Sequence, residues 1–484
     1  MSLAGRAFLA VALMIGFYGL ALGLAFGLLY VPYAEAVYLH RLHARLTVIC
    51  AGGALAILLS ILPRPDRFPL PGPQLLRDAH PRLFAELDRI ASAVGQRMPA
   101  EVYLVPDVNA WLAQRGGIMG LGSRRVMGLG LPMLQALTVS QMRAVLAHEF
   151  GHFAGGDTML GPWVHKTYSA IGRTLATLRQ TGSALQAPFR WYGRMFLRVT
   201  HAVSRHQERQ ADALAARTMG AQALAGGLVN VHGAAFAYEA YLNQEYFPIL
   251  GGGLRPPLAA GFLGFMQNPT IHELLSKAVT REVEEGEGNP YDSHPPLAER
   301  LDAIEKMSRE APPAEDPPAL TLLDGVDALE EALVLMFSNA DKALALKPVS
   351  WAEVPERFYV PYWENLARRN IGDLDGVTAA DLPDLARKLV RRAQNVAQGS
   401  HRATDPTMSE LVAAGAALTL ALRKQGFALT MGPGEPCRRT GWTVLTRSMA
   451  SLRSASRRRN RRRGRASRPH TYSRAATTHP RPRR

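Results

Sequence analysis

The chain has 484 residues, of which 47% are hydrophobic and 20% are charged, so it is larger than one hydrophobic core requires and predicts two or three structural units. Its two cysteines, Cys50 and Cys437, exclude a disulfide framework and a cysteine-rich zinc site. Any metal ion would therefore be held by histidines and carboxylates. The formal net charge of +16 is local, because residues 438–484 contain sixteen arginines and no acidic residue. The 40 basic residues elsewhere balance 40 acidic ones, so the body of the protein is neutral.

Two uncharged stretches near the N-terminus predict a transmembrane hairpin over residues 1–62. Residues 7–31 contain no charge, and residues 46–62 form a second, shorter uncharged stretch. Both are long enough to cross a bilayer as helices. A secretory signal peptide is excluded, because the first stretch is too long and a second one follows after a short loop.

Three glycines repeat at four-residue spacing in the first stretch: Gly19, Gly23 and Gly27. In a helix they share one face. This face could pack closely against another helix, or the glycines could simply be tolerated in lipid.

Arginines next to the two stretches favour a cytoplasmic location for both ends of the hairpin. The outer flanks carry four arginines and the intervening loop carries two: Arg6, Arg64, Arg67 and Arg77 outside, Arg41 and Arg45 in the loop. Positive charge is enriched on the cytoplasmic side of membrane helices. The sequence therefore predicts a multi-pass protein of the cell membrane whose remaining domains face the cytoplasm.

Proline-rich segments divide the rest of the chain. Prolines between 63 and 73 make a stiff, non-helical exit from the membrane, and a second cluster at 312–318 follows the middle region, 63–310. Residues 319–437 have a glutamate-, alanine- and leucine-rich pattern that is typical of helices, and they carry no functional motif. Residues 438–484 are rich in Arg, Ser, Ala and Pro and predict a disordered basic tail.

Within the middle region, short apolar runs predict a small β-structure. Residues 101–105 (EVYLV) are typical of a buried strand. Residues 117–121 and 125–129 predict the two strands of a hairpin, with Gly122 and Ser123 at the turn.

The pattern becomes helical after Pro132. Thr138 and Gln141 have the spacing of a capping box, and Gly155 with Gly156 provides a stop signal. One helix is therefore predicted over residues 139–154.

This helix carries the motif His148-Glu149-Phe150-Gly151-His152. Residues i and i+4 share one face of a helix, so both imidazoles can reach one metal ion. Glu149 is offset by one residue and can take a proton from a water molecule at the open position of the metal. The alternative interpretation is a pair of structural histidines that bind no metal.

Two histidines need a third protein ligand. The metzincin pattern would place it at position 158, which is excluded because Thr158 stands there. A glutamate from a separate helix is the other possibility. Glu208 and Asp212 lie one turn apart on one face of a helix predicted over 203–218, where small residues permit close packing. Asp212 could accept a hydrogen bond from a ligating histidine and fix its tautomer.

Other assignments for these residues remain open on spacing alone. Glu208 could be a solvent-exposed charge paired with Arg205 or Arg209. Four further histidines are possible ligands without a comparable context, and we interpret them as surface or core residues: His165, His201, His206 and His232.

Three separated segments make the chain resemble the membrane zinc metallopeptidases of the CAAX-prenyl-protease and HtpX type. They are residues 125–157, the segment RHQERQAD at 205–212 and the segment SHPPLAER at 293–300. The segments occur in the order that is found in this family, and the resemblance covers residues 63–310. It implies a zincin-like metallopeptidase domain of the gluzincin kind, with the ligand pattern HExxH…ExxxD.

The resemblance also implies roles for individual residues. His148, His152 and Glu208 would bind one Zn²⁺ per chain, Glu149 would be the catalytic base, and Asp212 would support a ligating histidine by a hydrogen bond.

Two more residues enter through the resemblance. Asn109, in Asn109-Ala110, matches an Asn-Ala pair near the substrate cleft of the family. His294 matches a histidine close to the zinc site, where it could steady an oxyanion as a catalytic residue. The alternative for His294 is a cap or turn residue before two prolines.

The chain departs from the family in one respect. Members carry further membrane spans after the catalytic helix, whereas residues 156–208 of this chain contain seven Lys and Arg residues, which argue against a span there. A membrane-enclosed catalytic chamber is therefore not expected, and processing of prenylated peptides is not assigned.

The predicted fold is mainly α-helical with a small β-hairpin or sheet: a transmembrane hairpin, a zincin-like domain, a helical C-terminal extension and a disordered basic tail. The predicted function is that of a membrane-bound, zinc-dependent endopeptidase whose partners are the lipid bilayer and membrane or misfolded protein substrates. The alternative is a catalytically inactive, peptidase-like membrane scaffold or basic-tail binding protein. The tail could bind anionic lipids or, less expectedly, nucleic acid, or it could be the product of an aberrant reading frame.

Overall fold

The computed structural model describes residues 3–62, 68–116, 122–154, 161–180, 186–286, 295–307, 315–337 and 346–369, with short pieces between 378 and 435. The chain divides into two units. The first comprises Met1–Pro248 with Pro257–Leu346, and the second comprises Ile249–Pro256 with Lys347–Arg484. The described part is mostly helical with few strands, as predicted. The predicted tail, 438–484, lies outside the described residues.

Two long apolar helices form the N-terminal hairpin: α1, Leu3–Leu39, and α2, Ala44–Ile61. They are the two helices of the described residues that are long and apolar enough to cross a membrane. Helix α1 extends beyond the uncharged stretch 7–31 and continues through Pro32. Large apolar side chains such as Phe26 and Val48 are exposed on the outer surface of the hairpin, where lipid would cover them.

The glycine face of α1 does not pack against another described helix. Ideal Cβ atoms added to Gly19, Gly23 and Gly27 would meet nothing within 4 Å. Helix α1 instead buries Phe17 and its alanines against α2 and its neighbours. Of the two interpretations of these glycines, close helix packing is therefore wrong among the described residues.

The sheet of the first unit has four strands in the order β1-β2-β4-β3. They are β1, Gln74–Leu75; β2, Glu101–Val105; β3, Ala110–Arg115; and β4, Arg124–Gly130. Strand β2 runs parallel to β4, whereas β1 pairs antiparallel with β2 and β3 pairs antiparallel with β4.

The predicted strands 101–105 and 125–129 are confirmed, but the hairpin partner was misplaced. Strand β4 pairs with Ala110–Arg115, and residues 117–121 lie outside the described residues. The segment AWLAQR buries alternate side chains, as a strand with one covered face does. The apolar but glycine-rich run that follows lacks this alternation.

Eleven α-helices follow among the described residues between 81 and 337. They are α3, Pro81–Ala93; α4, Leu131–Ala136; α5, Val139–Ala154; α6, Gly161–Gln180; α7, Gln186–Met219; α8, Ala221–Tyr241; α9, Phe247–Gly251; α10, Leu258–Gln267; α11, Pro269–Glu285; α12, Leu297–Glu305; and α13, Val326–Phe337. Helix α5 has the predicted bounds. The helix predicted over 203–218 is the second half of α7.

The hydrophobic core of the first unit lies between the sheet and helices α3, α5 and α8. Alternate residues of the strands, including Val102, Leu104, Met127 and Leu129, face this core. Helix α5 contributes Leu146 and other fully buried side chains to it, so the helix is fixed along most of its length.

Helices α6 and α7 pack against the transmembrane hairpin. The hydroxyl of Tyr192 donates a hydrogen bond to the carbonyl oxygen of Leu13 at 2.5 Å, and the hydroxyl groups of Ser60 and Thr174 lie 2.7 Å apart. The rings of Phe17 and Phe189 meet edge to face, 6.3 Å between centroids. The first half of α7 and α6 are therefore amphipathic helices that cover part of the hairpin.

The second unit contains a small cluster of its own. Strands β5, Leu254–Arg255, and β6, Lys347–Pro348, pair in parallel, and Ile249, Val349 and Val354 are buried beside them. Helix α14, Val360–Arg369, follows a π-helical turn.

The N-terminus of α5 is capped from two directions. The predicted capping box is confirmed, since the Thr138 amide donates to Gln141 Oε1 at 3.2 Å and the Gln141 amide donates to Thr138 Oγ1 at 3.4 Å. In addition, Asp316 accepts hydrogen bonds from the amide and the hydroxyl of Ser140, at 2.8 and 2.5 Å. The Val139 amide also donates to the carbonyl oxygen of Pro317 at 2.9 Å. The segment after α12 thus holds the start of α5.

We predict that Asp316→Ala lowers the free energy of unfolding by about 1 kcal/mol, because it removes a cap from α5. Partial burial raises the pKa of Asp316, but the hydrogen bonds from Ser140 outweigh it and leave the pKa below its ordinary value. The unfolded chain binds the proton more tightly, so the contribution is present near neutral pH and is lost as the pH falls through the lowered pKa. Denaturation of wild type and Asp316→Ala is measured at neutral pH and at a pH below the lowered pKa of Asp316. The exposed Asp302→Ala is the control. An equal loss of stability at neutral and acidic pH would contradict the prediction.

Candidate metal centre

Helices α5 and α7 cross at very short range, and this contact brings the sequence motifs together. An ideal Cβ atom added to Gly151 would lie 3.1 Å from the Cα atom and 3.2 Å from the Cβ atom of Ala211. Ala211 and Ala215 are buried at the crossing, as their small size predicted. Because Gly151 lies between the two motif histidines and Ala211 lies between Glu208 and Asp212, the polar side chains of both helices converge beside this contact.

Three of the predicted residues form one cluster. Potential ligand atoms of His148, His152 and Glu208 all lie within 4.8 Å of one another. The Nε2 atoms of the two histidines lie 3.5 and 3.4 Å from the two carboxylate oxygens of Glu208. Within the described residues this is the one group of three or more His, Cys, Asp or Glu side chains that could hold a metal ion.

Two of the three side chains of the cluster are shielded from solvent, and the third is partly exposed. His148 and Glu208 are buried, with 4% and 3% of their surface exposed, whereas the His152 side chain is 29% exposed. Two imidazole nitrogens and a carboxylate are a donor set that Zn²⁺ accepts in sites that keep a fourth position for water or substrate. The residues present therefore fit a zinc ion.

Asp212 fixes the orientation of His148. Its Oδ1 atom lies 2.8 Å from Nδ1 of His148. Because Nδ1 donates to this carboxylate, Nε2 faces the cluster and would offer its lone pair to a bound metal ion after losing its proton. Asp212 thus has the place that the sequence predicted for it.

Arg300 completes this arrangement and was not predicted. Its Nε and Nη2 atoms donate to the two oxygens of Asp212 at 2.9 and 2.7 Å, and only 7% of its surface is exposed. It lies in the first turn of α12, within the SHPPLAER segment. The segment was recognised in the sequence, but nothing in its spacing shows that this arginine is buried against a residue 88 positions earlier.

The electrostatics of the cluster favour a positive charge at its centre. Burial lowers the pKa of His148, but its hydrogen bonds to Asp212 and Glu208 outweigh this and raise the pKa to about 9. Burial raises the pKa of Asp212, whereas hydrogen bonds from His148 and Arg300 bring it below its ordinary value. Asp212 therefore keeps its negative charge although it is buried, and this charge favours a cation at the neighbouring imidazole.

Glu149 lies next to His148 on α5 and is half-buried. Its negative charge contributes to the raised pKa values of both His148 and Arg300, so the carboxylate lies within electrostatic reach of both groups.

The structure does not bring the remaining predicted residues into this cluster. The Asn109 side chain is exposed at the start of β3, and its carbonyl oxygen accepts a hydrogen bond from the Gly130 amide at 2.8 Å. His294 lies outside the described residues. His206 contacts Gln210, 3.0 Å away.

The other histidines weighed as ligands do not alter this picture. His232 pairs with Glu282 at 3.0 Å, away from the cluster. The side chains of His165 and His201 lie outside the described part of the structure.

Comparison with known proteins agrees with this geometry. Residues 78–308 match the model of peptidase family M48. Protease HtpX of Idiomarina loihiensis is 27% identical over 241 residues, which cover 46% of this chain and 71% of that protein. Protease HtpX of Aliivibrio fischeri is 26% identical over 251 residues, with coverage of 46% and 72%. No solved structure matches the chain. Residues 78–308 thus match peptidase family M48, and this match, the His-His-Glu cluster and the two apolar N-terminal helices identify the chain as a membrane-associated metalloprotease.

Proposed function

We propose that this protein is a zinc-dependent endopeptidase of the cell membrane, in which His148, His152 and Glu208 bind one Zn²⁺ per chain. The observation that carries the proposal is the convergence of these three donors beside the Asp212–Arg300 pair. A bound Zn²⁺ would lower the pKa of a water molecule and polarise the carbonyl group of a peptide bond.

We assign the proton transfers to Glu149. As a half-buried carboxylate next to His148, it can accept the proton of the attacking water and pass it to the leaving amine. His294 is proposed as a donor to the developing oxyanion, because it belongs to the SHPPLAER segment, whose Arg300 reaches the cluster.

We propose that Asp212 and Arg300 act through His148. The bidentate ion pair holds the Asp212 carboxylate in one orientation, and the carboxylate holds the imidazole ring and its tautomer. Both are positioning residues, since neither belongs to the group of converging donors.

The extended substrate is proposed to add to the free edge of β3. Strand β4 is paired on both sides, with β2 and with β3, so it offers no edge. Strand β3 is last in the sheet order and has one neighbour among the described strands. It also packs beside α5. The enzyme would select a substrate strand here with little sequence preference, since main-chain hydrogen bonds would hold it. The exposed Asn109 at the start of β3 would contact the substrate.

The proposed substrates are membrane or misfolded proteins, because the catalytic unit is joined to the transmembrane hairpin and β-strand addition requires an unfolded segment. We propose a multi-pass topology with the catalytic unit in the cytoplasm, from the arginines that flank the hairpin. An inactive scaffold is the less favoured function, since Glu149 and all three proposed ligands are present.

We predict that Glu149→Gln retains stoichiometric zinc and lowers casein cleavage by about two to four orders of magnitude, because the general base is lost. His294→Ala should also retain zinc while its turnover falls. Zinc content and casein cleavage are measured together on detergent-purified protein, with the exposed Glu284→Gln as the matched control. Full activity in Glu149→Gln would refute its role as base, and folded wild-type protein without zinc would refute the ligand assignment.

Arg300→Gln is expected to weaken zinc binding by about 10- to 100-fold, since Asp212 loses both hydrogen bonds that orient it. Arg300→Lys should recover only part of this affinity, because one ammonium group cannot bind both carboxylate oxygens in the same way. Competition with a chelator measures the affinity, and Arg281→Gln, an exposed arginine on α11, is the control. Unchanged zinc affinity in folded Arg300→Gln would show that the ion pair does not position the ligand.

Backbone N-methylation of a peptide substrate at alternate residues near the cut should abolish cleavage in one register, because a methylated amide cannot donate to the edge of β3. The unmethylated peptide and the peptide methylated in the other register are the controls. Equal cleavage of all three peptides would exclude strand addition.

A further inference from the structure

Helix α6 meets the transmembrane hairpin at the place where α2 ends. Nε of Arg173 donates to the carbonyl oxygen of Ser60 at 3.1 Å, and Thr174 contacts the hydroxyl of the same serine. Helix α2 ends at Ile61, just before the proline-rich segment 63–73. Since the apolar spanning helix stops there, this part of α6 lies at the level of the membrane surface.

Helix α7 reaches the same level beside α1. The Tyr192 hydroxyl bonds to the carbonyl oxygen of Leu13, and the apolar span of α1 begins at Val11. Two independent contacts, one to each spanning helix, therefore place the α6–α7 pair at the same membrane boundary.

The outward face of α7 at this level carries a row of arginines. Arg190, Arg194 and Arg198 follow one another at four-residue spacing, so they share one face of the helix, and all three are exposed. Trp191 stands beside this row with 64% of its surface exposed. The opposite face, with Phe189, is buried against the hairpin.

No acidic residue accompanies these arginines in the surrounding sequence. Between residues 158 and 207 there are seven basic residues and no Asp or Glu: Lys166, Arg173, Arg179, Arg190, Arg194, Arg198 and Arg205. Guanidinium groups are unstable in hydrocarbon and strongly attracted to phosphate, so next to spanning helices they are stable at the depth of the lipid headgroups. Exposed tryptophan is enriched at that depth too.

We propose that the arginine row of α7, Arg190, Arg194 and Arg198, binds the headgroups of anionic phospholipids in the leaflet that contains the N-terminal end of α1. The guanidinium groups bind the lipid phosphates, and Trp191 anchors the helix in the interface. This is the leaflet that the flanking arginines assign to the cytoplasm. The proposal is independent of the peptidase activity.

The test uses the full-length protein in a neutral detergent, titrated with phosphatidylglycerol or with phosphatidylcholine, and native mass spectrometry measures lipid binding. Wild-type protein should bind phosphatidylglycerol more tightly. Replacement of the three arginines by glutamine should weaken this binding by about fivefold per arginine, while phosphatidylcholine binding should not change. Replacement by lysine, which keeps the charge, should preserve most of the preference. Added salt should reduce the preference of the wild type.

The matched control removes three exposed positive charges elsewhere: Arg89→Gln, Lys277→Gln and Arg281→Gln. The basic tail is present in every variant, so binding by the tail alone would leave the triple glutamine variant equal to wild type and would overturn the proposal. An equal loss in the control variant would overturn it as well, by showing an effect of net charge. If the triple variant does not fold, Arg194→Gln alone is expected to show the fivefold loss, and no loss in it refutes the proposal.

Discussion

The close approach of α5 and α7 at Gly151 and Ala211 is the contact on which the candidate centre depends. A Cβ atom at position 151 would lie 3.1 Å from the Cα atom of Ala211, so a larger residue there would force the two helices apart by a few tenths of an ångström. The crossing sets the separation between the histidines of α5 and the carboxylates of α7. Three parts of the first unit fix these two helices. The sheet and α3 pack against one side of α5, and Asp316 and the capping box cap its start. Helix α6 and the transmembrane hairpin pack around the first half of α7.

Burial of charge is the second constraint. His148, Glu208, Asp212 and Arg300 are all nearly inaccessible to water, and such groups are stable only when each charge has a partner. Arg300 supplies the positive charge that allows Asp212 to remain ionised beside Glu208. Helix α12 is thereby tied to the centre by two hydrogen bonds as well as by its apolar face. This explains how a segment far along the chain belongs to the same site as the histidine motif.

Features that depend on residues close together in the sequence were predicted correctly. The capping residues and the glycine stop gave α5 its correct bounds, and the spacing of the histidine motif predicted that His148 and His152 share a face. Spacing alone left Glu208 open, and the family resemblance singled it out. The partner of β4 was misplaced because a glycine-rich apolar run was preferred over the alternating segment Ala110–Arg115. The sequence analysis placed the start of this helix too late, because the arginines of α7 made its amphipathic pattern hard to recognise. The position of Arg300 was not predicted, because only the tertiary fold brings it to Asp212. Long-range pairing and the burial of charge are not encoded in any short window of sequence.

Helix α7 has a mechanical consequence, because it is one continuous helix of 34 residues that touches the lipid boundary at Tyr192 and carries Glu208 and Asp212 further along. At 1.5 Å per residue, the candidate centre at Glu208 stands at most about 24 Å from the level of Tyr192. The continuous helix fixes this distance. An extended chain emerging from the membrane covers that height in about seven residues. A membrane-inserted substrate would therefore be cut at a set distance from its last buried residue, so that position along the chain, more than side-chain identity, would choose the bond.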